Sequence, residues 1–352
     1  MFKYFFIAQS LLLLNSASST HACLGGGGSS SYIGGGGGSE GGGVENSLGV
    51  NTYQTSCPDA EDIIFSWVET AVLNEPRMAA SLLRLHFHDC FVNGCDASVL
   101  LDDAPGLVGE KTAGPNANSL RGFDVIDSIK ADLEAACPGV VSCADVLAVA
   151  ARDGVVVLGG PTWDVETGRK DGRTVSKSAA NNNIPGPNSD VPTLISKFQN
   201  TGLSARDMVA LSGGHTIGNA RCATFASRLS NSGGSGGNTD GSVDRDFLQS
   251  LQDLCAADAR GNNSATLASL DYATPTMFDN QYYVNLLSGQ GLLGSDQALV
   301  GGTDGVGELV EAYAADVGAF FEDFKASMLK MGRLGAVGGG GGEVRRNCRS
   351  IN

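Results

Sequence analysis

Most of the side chains that could do chemistry fall in one stretch, from Arg84 through His86, His88, Asp89, Cys90, Cys95 and Asp96 to Ser98. The run before it, Met78 to Leu83, is made of strong helix formers without a breaker, so the spacing predicts a helix continuing through His88. On that helix Arg84 and His88 stand at i and i+4, one above the other on the same face. His86 and His88 are two apart, point in nearly opposite directions, and cannot easily chelate one metal together. The stretch reads as a cation and a base on one face, running into an oxygen-rich loop.

Histidine is scarce. The chain has four, and His21 lies in the N-terminal leader, which leaves His86, His88 and His215. His215 follows Ser212-Gly213-Gly214, where the missing side chains let something bulky approach. Asp296, in Gly294-Ser295-Asp296-Gln297, could hold the other ring nitrogen, fixing the tautomer of a metal-bound imidazole and raising its basicity. A single histidine as the sole protein ligand suits a haem iron, because the porphyrin supplies four further donors. No Cys-x-x-Cys-His run is present, so any haem would be held non-covalently.

Two sets of oxygens have the character of hard-cation sites. Asp89, Asp96 and Ser98 stand close together around a tight Gly94, with the carbonyls of Val92 and Gly94 available. Asp271, Thr274 and Asp279, with Thr216 beside His215, form the second. A hydrogen-bonded turn is the plain alternative for either.

These side chains need a scaffold, and the chain divides into three parts. Residues 1–22 read as a secretory signal peptide, with Lys3, the apolar run Tyr4 to Leu14, and small residues around Thr20 and Ala22. Residues 23–47 form a Gly/Ser-rich arm that cannot build a core and is expected to be flexible. Residues 48–352 form the folded domain. Cys23 sits at the cleavage point, and the remaining eight of the nine cysteines form an even set. After a signal peptide this implies four disulfides, with the pairing left open by counting. The net charge of −15 argues against nucleic acid and anionic membrane surfaces as partners, and no later segment is apolar enough to span a bilayer.

The pattern of the domain is mostly α. Helices are expected from Asp59 to Pro76, through Arg84 to His88, over Phe123–Ala136, from Ser142 through Val157, over Asp190–Asn200 and Ala205–Leu211, and over Phe278–Leu287 and Gly307–Met331. Asp190 and Ser204 are the expected caps of two of them. Asn181–Pro187 reads as a turn, and Asn231–Gly241 and Gly335–Gly342 as Gly-rich loops. Alternation over Trp163–Thr167 is the one strand signal.

At this point the residues resemble a known family. Arg84-Leu85-His86-Phe87-His88-Asp89-Cys90 with the loop to Ser98, and Leu211-Ser212-Gly213-Gly214-His215-Thr216-Ile217-Gly218, are similar to the distal and proximal motifs of the secretory plant (class III) haem peroxidases. So are Ser56-Cys57-Pro58, Glu110-Lys111, Asn116 to Phe123, Cys137 to Asp145, Gly168 to Asp171 and Asn347-Cys348-Arg349. The resemblance runs from Leu48 to Asn352. It implies an all-α, two-lobed fold of about ten main helices with one haem b between the lobes. It implies reduction of hydrogen peroxide with one-electron oxidation of small phenolic reductants, in a secreted, extracellular monomer of the cell wall. The roles that go with it are lignin and suberin formation, wall cross-linking, peroxide removal and stress response.

Carried over by residue, His215 is implied as the iron ligand, Asp296 as its partner, His88 as the distal acid/base, Arg84 as the distal cation, and Asn116 as the acceptor that orients His88. Phe87 would pack over the haem, Arg77 and Ser81 would touch a propionate, and Pro185 would help hold the donor. One calcium would take Asp89, Val92, Gly94, Asp96 and Ser98, with Glu110 through water. The other would take Thr216, Asp271, Thr274, Met277 and Asp279. The implied disulfides are Cys57–Cys137, Cys90–Cys95, Cys143–Cys348 and Cys222–Cys255. Gly114, Asn188 and Thr224 stand where some relatives place aromatics at the haem edge, which weakens the expectation of tight aromatic binding. Asn262-Asn263-Ser264 is an N-glycosylation sequon. Two rivals remain: a disulfide-stabilised wall protein without activity, and a secreted zinc hydrolase using His86, His88 and His215.

Overall fold

The computed structural model describes residues 48–230, 243–256, 266–335 and 341–352. The expected signal peptide, the arm with Cys23, the sequon at Asn262 and most of both Gly-rich loops lie outside these residues. Among those described, the architecture is helical, with one two-stranded antiparallel ribbon, β1 (Asn219–Arg221) against β2 (Leu267–Ser269).

Helices α1 (Ala60–Asn74), α2 (Arg77–Cys90), α3 (Phe123–Ala136) and α4 (Cys143–Val157) pack together as one group. Helix α1 buries Ile64, Val68 and Val72, the four-residue row that an amphipathic helix presents to a core. Helix α4 is buried on nearly every side and is the centre of the group. It touches α2 closely because the crossing residues are small: a Cβ on Gly154 would lie 3.1 Å from Ala79 Cα. The Ser142 hydroxyl caps α4 by accepting from Asp145 N–H.

The second group holds α7 (Ala205–Ser212), α10 (Gln281–Leu287), α12 (Val306–Ala315) and α13 (Val317–Gly332). Along the chain between the groups come α5 (Lys177–Asn183) and α6 (Val191–Asn200), while Phe225 of α8 (Cys222–Ser230) and Phe247 and Leu251 of α9 (Arg245–Cys255) form a smaller core with Leu293. Helix α11 (Gly294–Gln297) is a single turn. Asp190 caps α6 and Ser204 caps α7 in a reciprocal box with Asp207, as the sequence leads one to expect. The four implied disulfides are all formed, Cys57–Cys137, Cys90–Cys95, Cys143–Cys348 and Cys222–Cys255.

Four expectations are corrected. Gly307–Met331 is two helices, because Asp316 adopts an extended backbone and its carboxylate accepts from Gly318 and Ala319 N–H to start α13 afresh. Helix α10 begins at Gln281 rather than Phe278, whose N–H goes instead to Leu158 O. The first three residues of the expected turn at Asn181–Pro187 are helical instead: Ser176 caps α5, which runs to Asn183, and only the rest is non-helical. Trp163–Thr167 is not a strand. Trp163 and Val165 do face the core, but only Thr167 bridges to another segment, at Gly49, so the alternation recorded burial rather than pairing.

Candidate active site

Helix α2 delivers Arg84, Phe87 and His88 from its last turns. Asn116 Nδ2 donates to Glu110 O at 2.9 Å, which turns its Oδ1 toward His88, and Oδ1 lies 2.6 Å from His88 Nδ1. An amide oxygen can only accept, so Nδ1 carries the proton and Nε2 keeps its lone pair. Burial, then the Arg84 charge, holds the ring well below the usual 6.5. His88 is therefore a neutral, oriented base. Phe87 meets it edge-on at 5.8 Å and packs on Phe91 at 4.2 Å. Arg84 donates to Pro115 O at 2.9 Å and to Ser119 O at 3.1 Å, so the guanidinium is fixed by backbone, and no carboxylate among the described residues pairs with it.

His215 stands on a short 3-10 turn, Gly213–Thr216, that continues α7. Of the two glycines before it, Gly213 leaves no room for a Cβ, and Gly214 sits in a tight contact. A Cβ on Gly213 would lie 2.4 Å from the Phe320 ring, and one on Gly214 would lie 3.3 Å from Leu83 of α2. The second approach is what brings the His215 turn against α2. His215 Nδ1 donates to Asp296 Oδ1 at 2.9 Å, and Tyr282 O–H donates to the same oxygen at 3.0 Å. Burial alone pulls the imidazole down, but the Asp296 carboxylate outweighs it and the ring ends up raised. The carboxylate is 3% exposed, whereas the His215 side chain is 40% exposed, so the ring faces open space with its partner behind it. Among the described residues no hydrogen bond reaches Nε2 of either His88 or His215.

The residues fit a haem. One imidazole offers a free, basic Nε2 beside open space, and a second offers a free neutral one. Three guanidiniums, Arg77, Arg84 and Arg221, stand near one another: burial, then the charges of Arg77 and Arg221, lowers Arg84 to about 10, and burial, then the Arg121 charge, lowers Arg77. None of them forms an ion pair among the described residues, which suits a group that brings its own carboxylates. Ser81 Oγ donates to Arg77 O at 3.1 Å and so stands beside that cation. Arg221, whose guanidinium donates to Asn118 O, and Tyr282 are additions that the sequence reading missed. The signal for Arg221 was its charge, close after His215.

The two oxygen sets are each gathered. In the first, Asp89 is wholly buried, accepting from Ala97 N–H at 2.9 Å, and Asp96 accepts from Ser98 N–H at 3.0 Å. Burial raises the pKa of Asp89, Asp96 and Glu110, the last to about 7. Ser98 Oγ and Glu110 Oε2 are buried without a hydrogen-bond partner. Buried carboxylates and orphaned oxygens around one loop are the donor set a calcium ion takes. Val92 and Gly94 stand in the same loop, and Gly94, at φ +97°, packs its backbone on Gly335, where a Cβ would lie 2.5 Å from Gly335 Cα.

In the second set, Thr216 Oγ1 lies 3.1 Å from Asp271 Oδ2 and 3.2 Å from Asp279 Oδ1, and Thr274 Oγ1 lies 3.1 Å from Asp279 Oδ1. A hydroxyl has one proton, so Thr216 cannot satisfy both carboxylates, and a cation among these oxygens would. The Met277 side chain is exposed, and its N–H donates to Thr274 O at 3.0 Å.

Pro185 lies in a loop held on both sides: Lys197 Nζ donates to Ile184 O at 2.9 Å, and Ser295 N–H to Pro187 O at 2.9 Å. Beside it opens a cavity of about 460 Å³ lined by Gly186, Pro187, Asn188, Ser189, Asp190 and Thr193. His86 takes no part. It is buried against Cys90 Sγ at 3.6 Å, with its ring pushed down to about 3 by burial. Among the described residues the one place where three His, Cys, Asp or Glu side chains bring ligand atoms together is His86 with Cys90 and Cys95, and those two sulfurs are already bonded to each other. His86, His88 and His215 thus form no shared metal site, which removes the basis of the zinc reading.

The chain is similar to known proteins over most of its length. The peroxidase family model matches residues 64–316. The chain is 62% identical to Peroxidase 40 of Arabidopsis thaliana over 88% of its length and 87% of that protein. It is 53% identical to Peroxidase 4 of Vitis vinifera, over 87% of the chain and 92% of that protein. It is 50% identical to Peroxidase P7 of Brassica rapa subsp. rapa, over 87% of the chain and the whole of that protein.

Proposed function

This chain belongs to the plant class III peroxidase family and is a peroxidase, and from that premise we propose that it reduces hydrogen peroxide with His88, Arg84 and Asn116 while oxidising small phenols. The observation that carries the residue assignment is the matched pair of imidazoles. Each has Nδ1 tied to an acceptor and Nε2 left free, one by a neutral amide and the other by a carboxylate.

Peroxidases of this family bind haem, and His215 Nε2 is the atom that would hold the iron, with Asp296 making the ring a stronger donor. Bound there, haem supplies the centre that takes peroxide and holds its two oxidising equivalents. His88 Nε2 takes the proton of the incoming peroxide and returns it to the departing oxygen, so that water leaves: base first, then acid. Arg84, fixed by Pro115 and Ser119, stabilises the negative charge on that oxygen. Arg77 and Arg221 face the carboxylates the cofactor brings, and Phe87 excludes water beside His88. Phenolic donors then each give one electron, with Pro185 at their approach. The cleft beside it is lined by Asn188, Ser189 and Asp190 rather than aromatics, and so favours donors that are themselves polar.

Asp89, Val92, Gly94, Asp96 and Ser98 would hold one calcium, with Glu110 beyond it, and Thr216, Asp271, Thr274, Met277 and Asp279 the other. Family membership and four disulfides support secretion. The extracellular wall as location, and wall polymerisation or peroxide removal as role, are part of the proposal. Purified protein should show a Soret band and oxidise a phenol only when peroxide is added. His215→Ala should lose the Soret band. Haem retained at full occupancy in that variant would overturn the assignment.

A further inference from the structure

Three tyrosines form a continuous aromatic line away from His215. The Tyr282 ring meets His215 edge-on at 6.2 Å, Tyr283 meets Tyr282 at 5.0 Å, and Tyr313 of α12 meets Tyr283 at 5.1 Å. All three are buried to within 1% of their surface. Their spacings are those of packed aromatic pairs, so packing alone would account for the rings. It does not account for how the hydroxyls end. Tyr283 O–H donates to Val209 O, a carbonyl that cannot take a proton. Tyr313 O–H donates at 2.6 Å to Asp323 Oδ2 of α13, and Asp323 is 26% exposed and paired with the largely exposed Arg206. The line therefore begins against the ring of His215 and ends at a carboxylate open to water.

We propose that Tyr282, Tyr283 and Tyr313 form an exit for oxidising equivalents, through which one that finds no donor at the haem edge ends on Tyr313. This rests on reading His215 as the haem-side residue. Hydrogen peroxide is the oxidant and the oxidised haem centre the electron acceptor. Tyr313 loses one electron, passed along Tyr283 and Tyr282 to that centre, and its hydroxyl proton passes to the Asp323 carboxylate. The product is a neutral tyrosyl radical and a protonated Asp323, with charge and atoms conserved. Tyr313 is the stopping point because Tyr283 has only carbonyls to donate to and Tyr282 shares the buried Asp296 with His215, whereas Tyr313 has a carboxylate that exchanges with solvent. Losing the proton as the electron leaves avoids a buried cation radical.

The test is freeze-quench electron paramagnetic resonance of the haem-loaded protein mixed with peroxide and no phenol. The wild type should give a tyrosyl signal. Tyr313→Phe keeps the ring packing and should lose that signal or replace it by one of different hyperfine pattern. Asp323→Asn keeps a hydrogen-bond acceptor but removes the base, and should also lose it. The Soret band and the initial spectral response to peroxide should persist in both variants. An unchanged tyrosyl signal in either variant, or a wild-type radical with the signature of tryptophan, would overturn the relay. Loss of haem binding in the wild type would sink the active-site reading and the relay together, whereas normal haem and peroxide response with no protein radical would sink the relay alone.

Discussion

His88 and His215 are the same side chain in related settings, each near a helix end with Nδ1 bonded behind it, His88 buried and His215 partly open. They differ in what stands behind. His88 is backed by an amide that offers no charge, and burial then keeps its ring neutral. His215 is backed by the buried Asp296 carboxylate, and its ring is raised. The difference separates two jobs. A base that must give its proton back needs a weakly held proton, and a metal ligand needs electron density on the coordinating nitrogen. On the proposed reading, one charge, placed or withheld, decides which imidazole does which.

The largest effect should come from removing the neutral member. His88→Ala takes away the general acid–base group, and the rate of reaction with peroxide should fall by about 10²–10⁴-fold while the Soret band stays, measured by stopped-flow. A drop of less than about tenfold would mean that another group moves the proton. Next is the charge behind the other ring. Asp296→Asn leaves a hydrogen-bond acceptor for His215 and removes the negative charge. Haem affinity or turnover should fall by about 10–100-fold, the usual cost of losing such a partner. Titration of the apo-variant with haem would read it directly, and wild-type affinity together with wild-type turnover would show that the charge is idle.

A third change erases the contrast instead of a residue. Asn116→Asp would put a carboxylate behind both imidazoles. His88 now titrates below the usual value, so its base form is lost only in acid and the rate falls only as pH drops through that depressed pKa. The added charge raises the pKa and should carry the acid limb of the pH–rate profile toward neutrality. An unmoved limb would show that something other than Asn116 sets the protonation of His88.

Both rings were readable from the chain because scarcity and neighbours marked them: three histidines in the stretch expected to fold, one on a helix face with Arg84 and one after two glycines. The two oxygen sets were readable for the same reason, through acidic residues at close spacing. What could not be read was whatever depends on partners brought from far along the chain. Arg221 beside Arg77 and Arg84 is one case. Arg345, whose buried guanidinium donates to Ala97 O at 2.9 Å and Cys348 O at 2.7 Å, is another, since nothing local marks it as a prop for the Asp89–Ser98 loop. The break at Asp316 was hidden because its cause is one residue's backbone inside an otherwise continuous helical pattern. Trp163–Thr167 failed in the opposite direction, since alternation reports which side chains are buried and not whether a neighbouring strand exists.

The smallest predicted effect tests whether the neutrality of His88 depends on the loop beneath it. Asn116 is aimed by the carbonyl of Glu110, and the Glu110 carboxyl, raised from 4.5 to about 7 by burial, sits beside the orphaned oxygens of the first cation set. Between those two values the folded chain binds a proton there that the unfolded chain has already lost. Without a cation this group therefore stabilises the fold least above pH 7, and the loss accrues as pH rises from about 4.5 to 7. A calcium ion would take over the role of the proton. The melting temperature of chelator-treated protein should thus fall across that window by more than that of the calcium-loaded protein, and Glu110→Gln should flatten the difference. Parallel curves for the two forms would break the link between cation and carboxyl. If the link holds, chelation should also slow the peroxide reaction before the domain unfolds, because Asn116 loses its aim before α2 loses its packing.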